Sequence, residues 1–338
     1  MEMGKVLFIN EKEIKQLISA EKVLELVETA LAGYAKGDSV NPVKLHLPFY
    51  PTYEGYLNSM PSFIKSSNLA GVKMVTVHKR NPSLYHLPAT IGTIVLHQPE
   101  TGMPYAILGG TYITDMRTGA AAGVAAKYMA KKSSKVLTVV GAGAQGLTSM
   151  QMVVLALKGI EEIRVVDIRS ENQNRLIIKA KEMFHNINYV ACTDRQEAFR
   201  GSDIIVLATT ATKSLLEGLE LDKGTTVVSV DEILTPKVID MFDRWIVDFT
   251  DCVIERENAG SKHAAETNGY KFECLNKAMV TGEIGDVIIG KTVGRANDEE
   301  IVLTESVGMS ITDVIVASAA YDAAIEKHIG VVLPFQDI

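Results

Sequence analysis

Cysteine is scarce in this chain of 338 residues, and long apolar runs are missing. Cys192, Cys252 and Cys274 lie far apart, without the spacing of a zinc site or a redox pair, which predicts reduced thiols in a cytoplasmic protein. The seven histidines form no metal-ligand pattern, so no metal is expected. Residues Met1–Asn10 contain no signal-peptide core and no run is long enough to span a bilayer, so no membrane contact is expected.

Blocks of basic residues are also missing. Lys131, Lys132 and Lys135 come nearest to one, and they lie at the end of a predicted helix, where the helix dipole accounts for them. The formal net charge is −7, so nucleic acid is not an expected partner. The chain is 47% hydrophobic and 22% charged, shows no internal repeat, and is long enough for two globular domains.

A glycine-rich motif is the most informative feature that the sequence contains. The apolar run Val136–Val140 leads into Gly141-x-Gly143-x-x-Gly146, and a second β-type run ends in Asp167, 21 residues after the last glycine. This layout is typical of a dinucleotide-binding βαβ unit, where the glycines allow a tight turn, close approach of a pyrophosphate and helix–strand packing. A glycine-rich turn without a ligand is the alternative.

The residues beside this motif predict which dinucleotide is bound. Ala144 and Gln145 open a helix whose free amides are expected to hold the pyrophosphate. Asp167 can accept hydrogen bonds from both adenosine ribose hydroxyls and repels a 2′-phosphate, which favours NAD over NADP. Arg169 leaves NADP possible because its guanidinium can pair with that phosphate, although a solvated loop cation is an equal alternative.

The first part of the chain does not follow a βαβ pattern. Periodicity predicts helices near Glu11–Ile18 and Ala20–Lys36. Turn-rich residues follow, and then come three β-like runs, of which the last two are joined by a turn at 98–102. We predict an antiparallel meander from the runs Gly71–Val77, Thr90–Leu96 and Tyr105–Leu108.

From Lys135 onward, strands and helices alternate, after a predicted helix over Gly119–Lys132. Six strand candidates predict a doubly wound sheet whose ligand binds over the carboxyl ends of the strands. They are Val136–Val140, Ile163–Asp167, Tyr189–Ala191, Ile204–Ala208, Thr226–Val230 and Trp245–Asp248. Val230 ends one of these strands and Thr209 directly follows another, so both are expected at the cofactor. A last helix is predicted over about Ser310–His328.

Several short motifs occur along the chain in a fixed order. They are Met60-Pro61, Gly71-Val72-Lys73, Asn81, Leu87-Pro88, Thr101-Gly102, Thr114-Asp-Met-Arg117-Thr118-Gly-Ala-Ala, Gly141-Ala-Gly-Ala-Gln145 and Val307-Gly308-Met-Ser-Ile-Thr-Asp313. In these motifs the chain resembles the ornithine cyclodeaminase/μ-crystallin family over nearly its whole length. That family includes ornithine cyclodeaminases, archaeal-type alanine dehydrogenases, ketimine reductases, iminosuccinate-type enzymes and μ-crystallin, which also binds hormone.

The resemblance implies an α/β protein of two domains that forms a homodimer. Residues 119–304 would form the Rossmann domain with its doubly wound sheet. Residues 1–118 and about 305–338 would form a discontinuous α+β domain for substrate binding and dimerisation. The resemblance also implies hydride transfer at a nicotinamide.

The resemblance assigns roles to three residues. Lys73 would bind the substrate carboxylate and carry a proton to or from nitrogen, with a pKa lowered by burial and nearby cations. The alternative is an edge lysine with a solvated head. Arg117, expected just before a helix start, would grip the carboxylate with both arms of its guanidinium. Thr118 would offer a helix-terminal amide and its hydroxyl to the cofactor.

Other matching positions have competing explanations. Asn81 matches a family asparagine near the nicotinamide, and a turn residue before Pro82 is the alternative. Asp313 is expected at the cofactor, with helix capping and domain packing as alternatives. Arg80, between His78 and His86, lies in a loop that could recognise a second acid group on the substrate, although solvated loop residues are more common.

Three positions depart from the family pattern. Lys44 occupies the place of another carboxylate-binding arginine of the family. Lysine keeps the positive charge but lacks the forked guanidinium that binds a carboxylate with two hydrogen bonds, and a surface lysine is the alternative. Asn58 lies where cyclodeaminases have an acid that engages the distal amine of ornithine, and it is expected to contact the substrate. The loop that carries a catalytic aspartate in cyclodeaminases is shortened here, so Asp231 is the candidate to replace it, with a helix N-cap as the alternative.

These residues predict an NAD-dependent oxidoreductase that acts on the CH–NH or CH–NH2 group of a small L-amino acid, imino acid or 2-oxo acid with an amine. The alternative enzyme is an ornithine cyclodeaminase that forms L-proline and ammonia. A non-catalytic protein that binds a cofactor and a ligand, like μ-crystallin, is the alternative from another class. Lys73 and Arg117 argue against it, since storing a nucleotide needs neither a carboxylate clamp nor a proton carrier.

Overall fold

The structure of the chain, a computed structural model, describes residues 4–211, 213–230, 233–268 and 274–337, with the backbone alone for 260–268. It divides into two compact units, one formed by Met1–Arg117 with Met309–Ile338 and the other by Thr118–Gly308. The strands are β1 (Lys5–Ile9), β2 (Ser39–Val40), β3 (Leu45–Pro48), β4 (Tyr56–Ile64), β5 (Leu69–Val77), β6 (Thr90–His97), β7 (Pro104–Gly109), β8 (Val136–Val140), β9 (Glu162–Val166), β10 (Asn188–Cys192), β11 (Ile204–Leu207), β12 (Thr226–Ser229), β13 (Arg244–Val247), β14 (Gly282–Glu283), β15 (Val302–Glu305) and β16 (Val331–Pro334). The helices are α1 (Glu11–Leu17), α2 (Ala20–Ala35), α3 (Asn81–Leu84), α4 (Thr111–Met129), α5 (Ala144–Ala156), α6 (Ser170–Met183), α7 (Arg195–Phe199), α8 (Pro236–Ile239), α9 (Thr250–Asn268), α10 (Ile284–Ile288) and α11 (Ser310–Lys327).

The first unit is built on a mixed sheet with the strand order β16-β1-β7-β6-β5-β4-β2, and β3 also pairs with β4. Strands β5, β6 and β7 run antiparallel to one another, which confirms the predicted meander. Helix α11 packs on β4, β5 and β6, and on α2. On β5, Gly71, Lys73 and Val75 are buried while Met74 is exposed, as expected of a strand with one covered face. The same face points to α11, because a Cβ on Gly71 would lie 3.1 Å from Val314 of that helix.

The second unit is an α/β unit with a wholly parallel sheet. Its strands follow the order β10-β9-β8-β11-β12-β15-β13-β14. The order changes direction between β8 and β11, which is the point where ligands bind in doubly wound sheets. Adjacent residues such as Ile204 and Ile205 point to opposite faces of the sheet and enter two different core clusters. Both faces of the sheet are therefore covered, which explains why its strands are continuously apolar. This confirms the predicted Rossmann sheet and its six strand candidates.

Strands β14 and β15 were not among the sequence predictions. β15 contains only Val302–Glu305 and lies between β12 and β13, although it follows both in the chain. Strand β1 is paired with β16 from the far end of the chain, with Lys5 opposite Pro334. Such short segments give a weak periodic signal, and their pairing is decided by residues far away in sequence.

The start of helix α4 differs from the prediction. We expected a helix from Gly119, with Arg117 just before it and Thr118 offering a free terminal amide; instead the helix begins at Thr111, and both residues lie inside it. The reason is a cap supplied by a distant side chain. The Glu11 carboxylate accepts hydrogen bonds from the amides of Thr111 at 2.6 Å and Tyr112 at 2.9 Å. These amides have no partner within the helix, so the carboxylate stabilises an earlier start.

Candidate active site

Lys73 is the centre of the site in the first unit. It lies in the middle of β5, opposite Met60 of β4 and Ile94 of β6, and its side chain is fully buried. A lysine can occupy such a position only if its ammonium group is paired or loses its proton. The solvated edge lysine that the sequence left as an alternative is therefore excluded.

Asp313 joins Lys73 to Arg117. Its Oδ1 accepts hydrogen bonds from Lys73 Nζ and Arg117 Nε, both at 2.8 Å. Asp313 is fully buried in the first turn of α11, and Arg117 on α4 is 6% exposed. Its second oxygen, Oδ2, is buried without a hydrogen-bond partner among the described residues. A buried acceptor without a donor costs free energy, so this arrangement indicates a role other than stability.

The electrostatics of this group favour proton transfer near neutral pH. Burial is the largest cause that lowers the pKa of Lys73, from 10.5 to about 7, and the charge of Arg117 is the next. Asp313 acts in the opposite direction through its charge and its hydrogen bond, and Lys44 lowers the pKa by a smaller amount. An amine whose pKa lies near 7 can both accept and donate a proton at neutral pH.

Arg117 keeps its donor groups for a ligand. Asp313 engages only Nε, and no described residue accepts a hydrogen bond from either terminal nitrogen. The carboxylate holds the guanidinium in place and leaves both terminal nitrogens unused. This is the geometry required for a two-pronged grip on a carboxylate.

The other predicted substrate residues lie in the first unit as well. Asn58 is buried on β4, and its Oδ1 contacts His46 Nδ1 of β3 at 2.8 Å. Lys44 directly precedes β3 and interacts electrostatically with Lys73. Arg80 is exposed before α3, where its carbonyl group accepts from Ser83 Oγ at 2.9 Å. A substrate contact of Arg80 therefore stays a prediction.

His46 was missed by the sequence reasoning. It is exposed on β3, contacts the Tyr56 ring with centroids 4.7 Å apart, and is the described hydrogen-bond partner of Asn58. The available signal was the alternation from Lys44 to His46, which places both side chains on one face of a strand. A strand of four residues was too short to show it.

The glycine motif of the second unit forms a cradle at the switch point of the sheet. Gly141 has φ +96°, and a Cβ there would collide with the Ala208 carbonyl group after β11. A Cβ on Gly146 would collide with the Gly141 carbonyl group, so this glycine lets α5 approach the turn. By contrast, no heavy atom lies within 4 Å of a Cβ on Gly143. No packing contact within the protein therefore requires glycine at position 143. The open space beside it, at the start of α5, fits a bound pyrophosphate.

Asp167 is fixed beside this cradle by three donors. Its Oδ2 accepts from the Ala142 amide at 2.8 Å, and its Oδ1 accepts from the Arg169 amide at 2.9 Å and Asn172 Nδ2 at 3.1 Å. The carboxylate therefore connects the end of β9 to the glycine turn. Its placement after the second strand fits a ribose ligand. Arg169 is exposed at the start of α6, so its pairing with a 2′-phosphate stays a prediction.

The remaining predicted cofactor residues lie as follows. Ala144 and Gln145 form the first turn of α5, and Thr209 and Val230 follow the carboxyl ends of β11 and β12. Thr118 lies inside α4, so only its side chain can serve a ligand. Asn81 donates to the Pro88 carbonyl group at 3.2 Å, as a turn residue does. The cofactor roles of Asn81 and Asp313 stay predictions, and Asp231 lies outside the described residues.

Metal sites and membrane-spanning helices are both missing from the described residues. No group of three or more His, Cys, Asp or Glu side chains is placed to hold a metal ion. Among the described helices, none is long and apolar enough to cross a membrane.

Comparison with known proteins agrees with this arrangement. The chain matches the ornithine cyclodeaminase/mu-crystallin family over residues 5–328. It is 30% identical to the alanine dehydrogenase of Archaeoglobus fulgidus over 330 residues, which cover 97% of this chain and 98% of that protein.

Two solved structures share the whole architecture. The Δ1-pyrroline-2-carboxylate reductase of Thermococcus litoralis, solved with NADH and L-proline, has a TM-score of 0.87 and 30% identity and covers 96% of this chain and 99% of its own. An archaeal alanine dehydrogenase dimer with bound NAD also has a TM-score of 0.87, with 29% identity over 98% of this chain and all of its own. From the extent of these matches, the chain belongs to the ornithine cyclodeaminase/mu-crystallin family.

Proposed function

We propose that the chain is an NAD-dependent oxidoreductase that acts on the CH–NH or CH–NH2 group of a small L-amino acid or its imine. The observation that carries this proposal is the buried Lys73, whose pKa of about 7 is set by burial and by Arg117, paired with Asp313. A carboxylate grip and a proton carrier within one hydrogen-bonded group are what oxidation of an α-amino acid requires.

Arg117 binds the α-carboxylate of the substrate. Since Asp313 occupies Nε, the two terminal nitrogens grip the carboxylate oxygens, and the direction of the grip is fixed before substrate arrives. Such preorganisation places the α-carbon and its nitrogen without further ordering of the protein.

Lys73 moves the proton at the substrate nitrogen. In the oxidative direction its neutral Nζ accepts a proton from the ammonium group, and in the reductive direction its ammonium form returns one. Asp313 keeps the Nζ at a fixed place and balances its charge while it is protonated. Asp231 is the second candidate for this role.

The cradle of the second unit is proposed to hold NAD(H). Gly141, Gly143 and Gly146 with the first turn of α5 would bind the pyrophosphate, and Asp167 would bind the adenosine ribose. The alanine dehydrogenase and the Δ1-pyrroline-2-carboxylate reductase were solved with NAD and NADH, which supports this choice. When bound, NAD(H) supplies the hydride exchange with the substrate α-carbon.

We also propose a homodimer in the cytoplasm. Among the described residues, all but three of the exposed large apolar side chains belong to the first unit, the exceptions being Ile168, Ile178 and Val293. The concentration of these side chains in one unit favours an interface there, and the archaeal alanine dehydrogenase is a dimer. The three free cysteines agree with a reducing compartment.

An assay of NADH consumption tests the proposed function. The enzyme is given NADH with a set of 2-oxo acids plus ammonia, and with cyclic imino acids, and the reverse reaction is followed with L-amino acids and NAD⁺. We expect turnover of at least one small substrate in both directions. Arg117→Lys keeps the charge but loses the fork, so its KM should rise by about tenfold or more while NADH binds as before. If the wild-type enzyme neither consumes NADH nor forms it from NAD⁺ with any of these substrates, the proposal is contradicted.

A further inference from the structure

The amino group of Lys73 is held by a single hydrogen bond. Among the described residues, Asp313 Oδ1 alone accepts a hydrogen bond from its Nζ, at 2.8 Å. In this fully buried position an ammonium group would leave two of its three donors without a partner among these residues. A neutral amine would leave only one and would keep a lone pair, so the position favours the neutral form.

The strands beside Lys73 surround it with apolar side chains. Met60 of β4 and Ile94 of β6 lie directly opposite Lys73, and they are 4% and 0% exposed. Val75, two residues further along β5, lies on the same face and is also buried. Burial in these surroundings lowers the pKa of Lys73 to about 7, and the charge of Arg117 is the next cause. A lysine that is desolvated beside another cation is activated to attack a carbonyl carbon.

Arg117 can bring a carbonyl carbon to this amine. Its Nε and Lys73 Nζ donate to the same oxygen of Asp313, each at 2.8 Å, so the two groups are neighbours. The terminal nitrogens of Arg117, which no described residue engages, are proposed to grip the substrate carboxylate. In a 2-oxo acid the carbonyl carbon is bonded directly to that carboxylate. The grip therefore holds the carbonyl carbon close to Nζ.

We infer that Lys73 forms a Schiff base with the 2-oxo acid that Arg117 holds. The lone pair of Nζ attacks the carbonyl carbon, and an electron pair of the C=O bond moves to oxygen. The C–O bond then breaks, and the oxygen leaves as water with both protons of the amine. Asp313 relays these protons, since its Oδ1 contacts Nζ and its Oδ2 is buried without a partner among the described residues. The step needs neither an oxidant nor a reductant.

Ammonia releases the Schiff base. Its nitrogen attacks the same carbon, the C–Nζ bond breaks, and two protons of ammonia move to Nζ. Lys73 is then a free amine again, and the substrate imine stays on Arg117 for reduction. The inference rests on the proposed function, from which it takes the 2-oxo acid and the carboxylate grip. It adds an activity that needs no dinucleotide, which is the exchange of the carbonyl oxygen of a 2-oxo acid with water.

Reductive trapping tests the inference in the wild-type enzyme without any dinucleotide. Pyruvate and sodium cyanoborohydride are added near neutral pH, and mass spectrometry of the peptides locates each adduct. The added mass is that of pyruvic acid less one oxygen atom. We expect the adduct on Lys73 to form about a hundredfold faster than on the exposed Lys12 of α1, because the neutral amine attacks and the pKa of Lys73 is lowered to about 7.

Methyl pyruvate shows whether the carboxylate grip directs the reaction. The ester has the same carbon skeleton without the carboxylate, and its carbonyl carbon is the more electrophilic of the two. On Lys73 pyruvate should react faster by about tenfold or more, because the ester loses the charged hydrogen bonds to Arg117. On Lys12 the ester should react faster.

The exchange of carbonyl oxygen gives a readout without a reductant. Pyruvate with an isotopically labelled carbonyl oxygen should lose its label faster with the wild type than without enzyme. Lys73→Arg keeps the positive charge but removes the nucleophile, so it should lose both the adduct and the exchange. Lys12→Arg is the matched control and should keep both. An unchanged circular dichroism spectrum shows that Lys73→Arg is folded, and the wild-type results decide alone if it is not.

The outcomes separate this inference from the proposed function. Faster trapping on Lys73 than on Lys12, with exchange that Lys73→Arg abolishes, supports the inference. A wild type that shows neither a preferred adduct on Lys73 nor exchange above the uncatalysed rate overturns it and leaves Lys73 as a proton carrier alone. Exchange that survives in folded Lys73→Arg also overturns it. A wild type without turnover of NADH or NAD⁺ overturns the proposed function instead, since trapping and exchange need no dinucleotide.

Discussion

Lys73 carries its amino group into a fully buried position in the middle of a β-strand, and in the proposed reaction the chemistry depends on the protons of that group. Burial lowers its pKa most, Arg117 lowers it further, and Asp313 keeps it at about 7 instead of lower still. Each of these contributions comes from a different element of the first unit. Because this pKa lies near neutral pH, a small change in any of these contributions changes the fraction of Lys73 that is protonated at neutral pH.

The pH dependence of the two directions should be opposite. Oxidation of the amino acid requires neutral Lys73, so kcat/KM should rise with pH through about 7, where the lysine loses its proton. Reduction of the imine requires the ammonium form, so that rate should fall above about 7. Initial rates from about pH 5 to about pH 9 give both profiles. Two profiles that are flat around neutral pH would show that another group carries the proton.

Asp313→Asn should lower the pKa of Lys73 below about 7, because Asp313 is the group that raises it. The oxidative profile should then shift toward lower pH, and KM should rise because the partner of Arg117 Nε loses its charge and holds the guanidinium less firmly. The matched control is Asp322→Asn, which removes a carboxylate from the same helix and should change neither quantity. If Asp313→Asn alters only stability and leaves the pH profile in place, Asp313 has a structural role alone.

Asp167→Ser should reduce the preference for NAD. The carboxylate is held by Ala142, Arg169 and Asn172, so it cannot turn away from a 2′-phosphate, and the wild type should bind NAD(H) at least about tenfold more tightly than NADP(H). The serine removes the repulsion, so the two affinities should approach each other. Fluorescence titration of both reduced cofactors measures the ratio. Asn172→Ala keeps the charge and should keep the preference, whereas equal affinities in the wild type would contradict the assignment.

At the scale of elements, the cap of α4 is the feature on which the position of Arg117 depends. Glu11→Ala removes both acceptors from the amides of Thr111 and Tyr112, so it should destabilise the fold by about 1–2 kcal/mol. Urea unfolding followed by circular dichroism measures the free energy of unfolding. Glu100→Ala, in an exposed turn, is the control and should stay within about 0.5 kcal/mol. An effect of Glu11→Ala no larger than this control would show that α4 does not depend on the cap.

The elements that sequence predicted and those that it missed differ in how local their causes are. Strands such as β8 and β11 were predicted because a strand buried on both faces is continuously apolar. The predicted start of α4 was wrong because the helix is capped by Glu11, which lies 100 residues away in the chain from Thr111. β15 and β16 were missed because they are short and pair with strands that are distant in sequence.

The candidate site shows the same limit. Lys73 and Arg117 were found through motifs, whereas the pairing of Lys73 with Asp313 spans 240 positions and has no local signature. The bond between His46 and Asn58 depends on the register of β3 with β4, which the sequence did not reveal. The sequence identified several candidate site residues, but it did not reveal their hydrogen-bond partners.

At the scale of the whole molecule, two compact units are proposed to supply two different kinds of binding. The first unit contains the paired group Lys73, Asp313 and Arg117, and the second contains the glycine cradle with Asp167. In the proposed function neither set is complete for redox chemistry without the other, since one would bind a carboxylate and move a proton and the other would bind a dinucleotide. The central claim is therefore that the two sets serve one net redox reaction.

The most direct measurement is the amount of NADH formed per amino acid consumed, with L-ornithine included among the substrates. The account predicts one NADH for each amino acid oxidised, together with a 2-oxo acid and ammonia, because Lys73 is proposed to transfer a proton and Asn58, not an acid, lies where the resemblance places a partner for a distal amine. Conversion of L-ornithine to L-proline and ammonia with catalytic NAD⁺, without accumulation of NADH, would contradict it and would identify the enzyme as a cyclodeaminase.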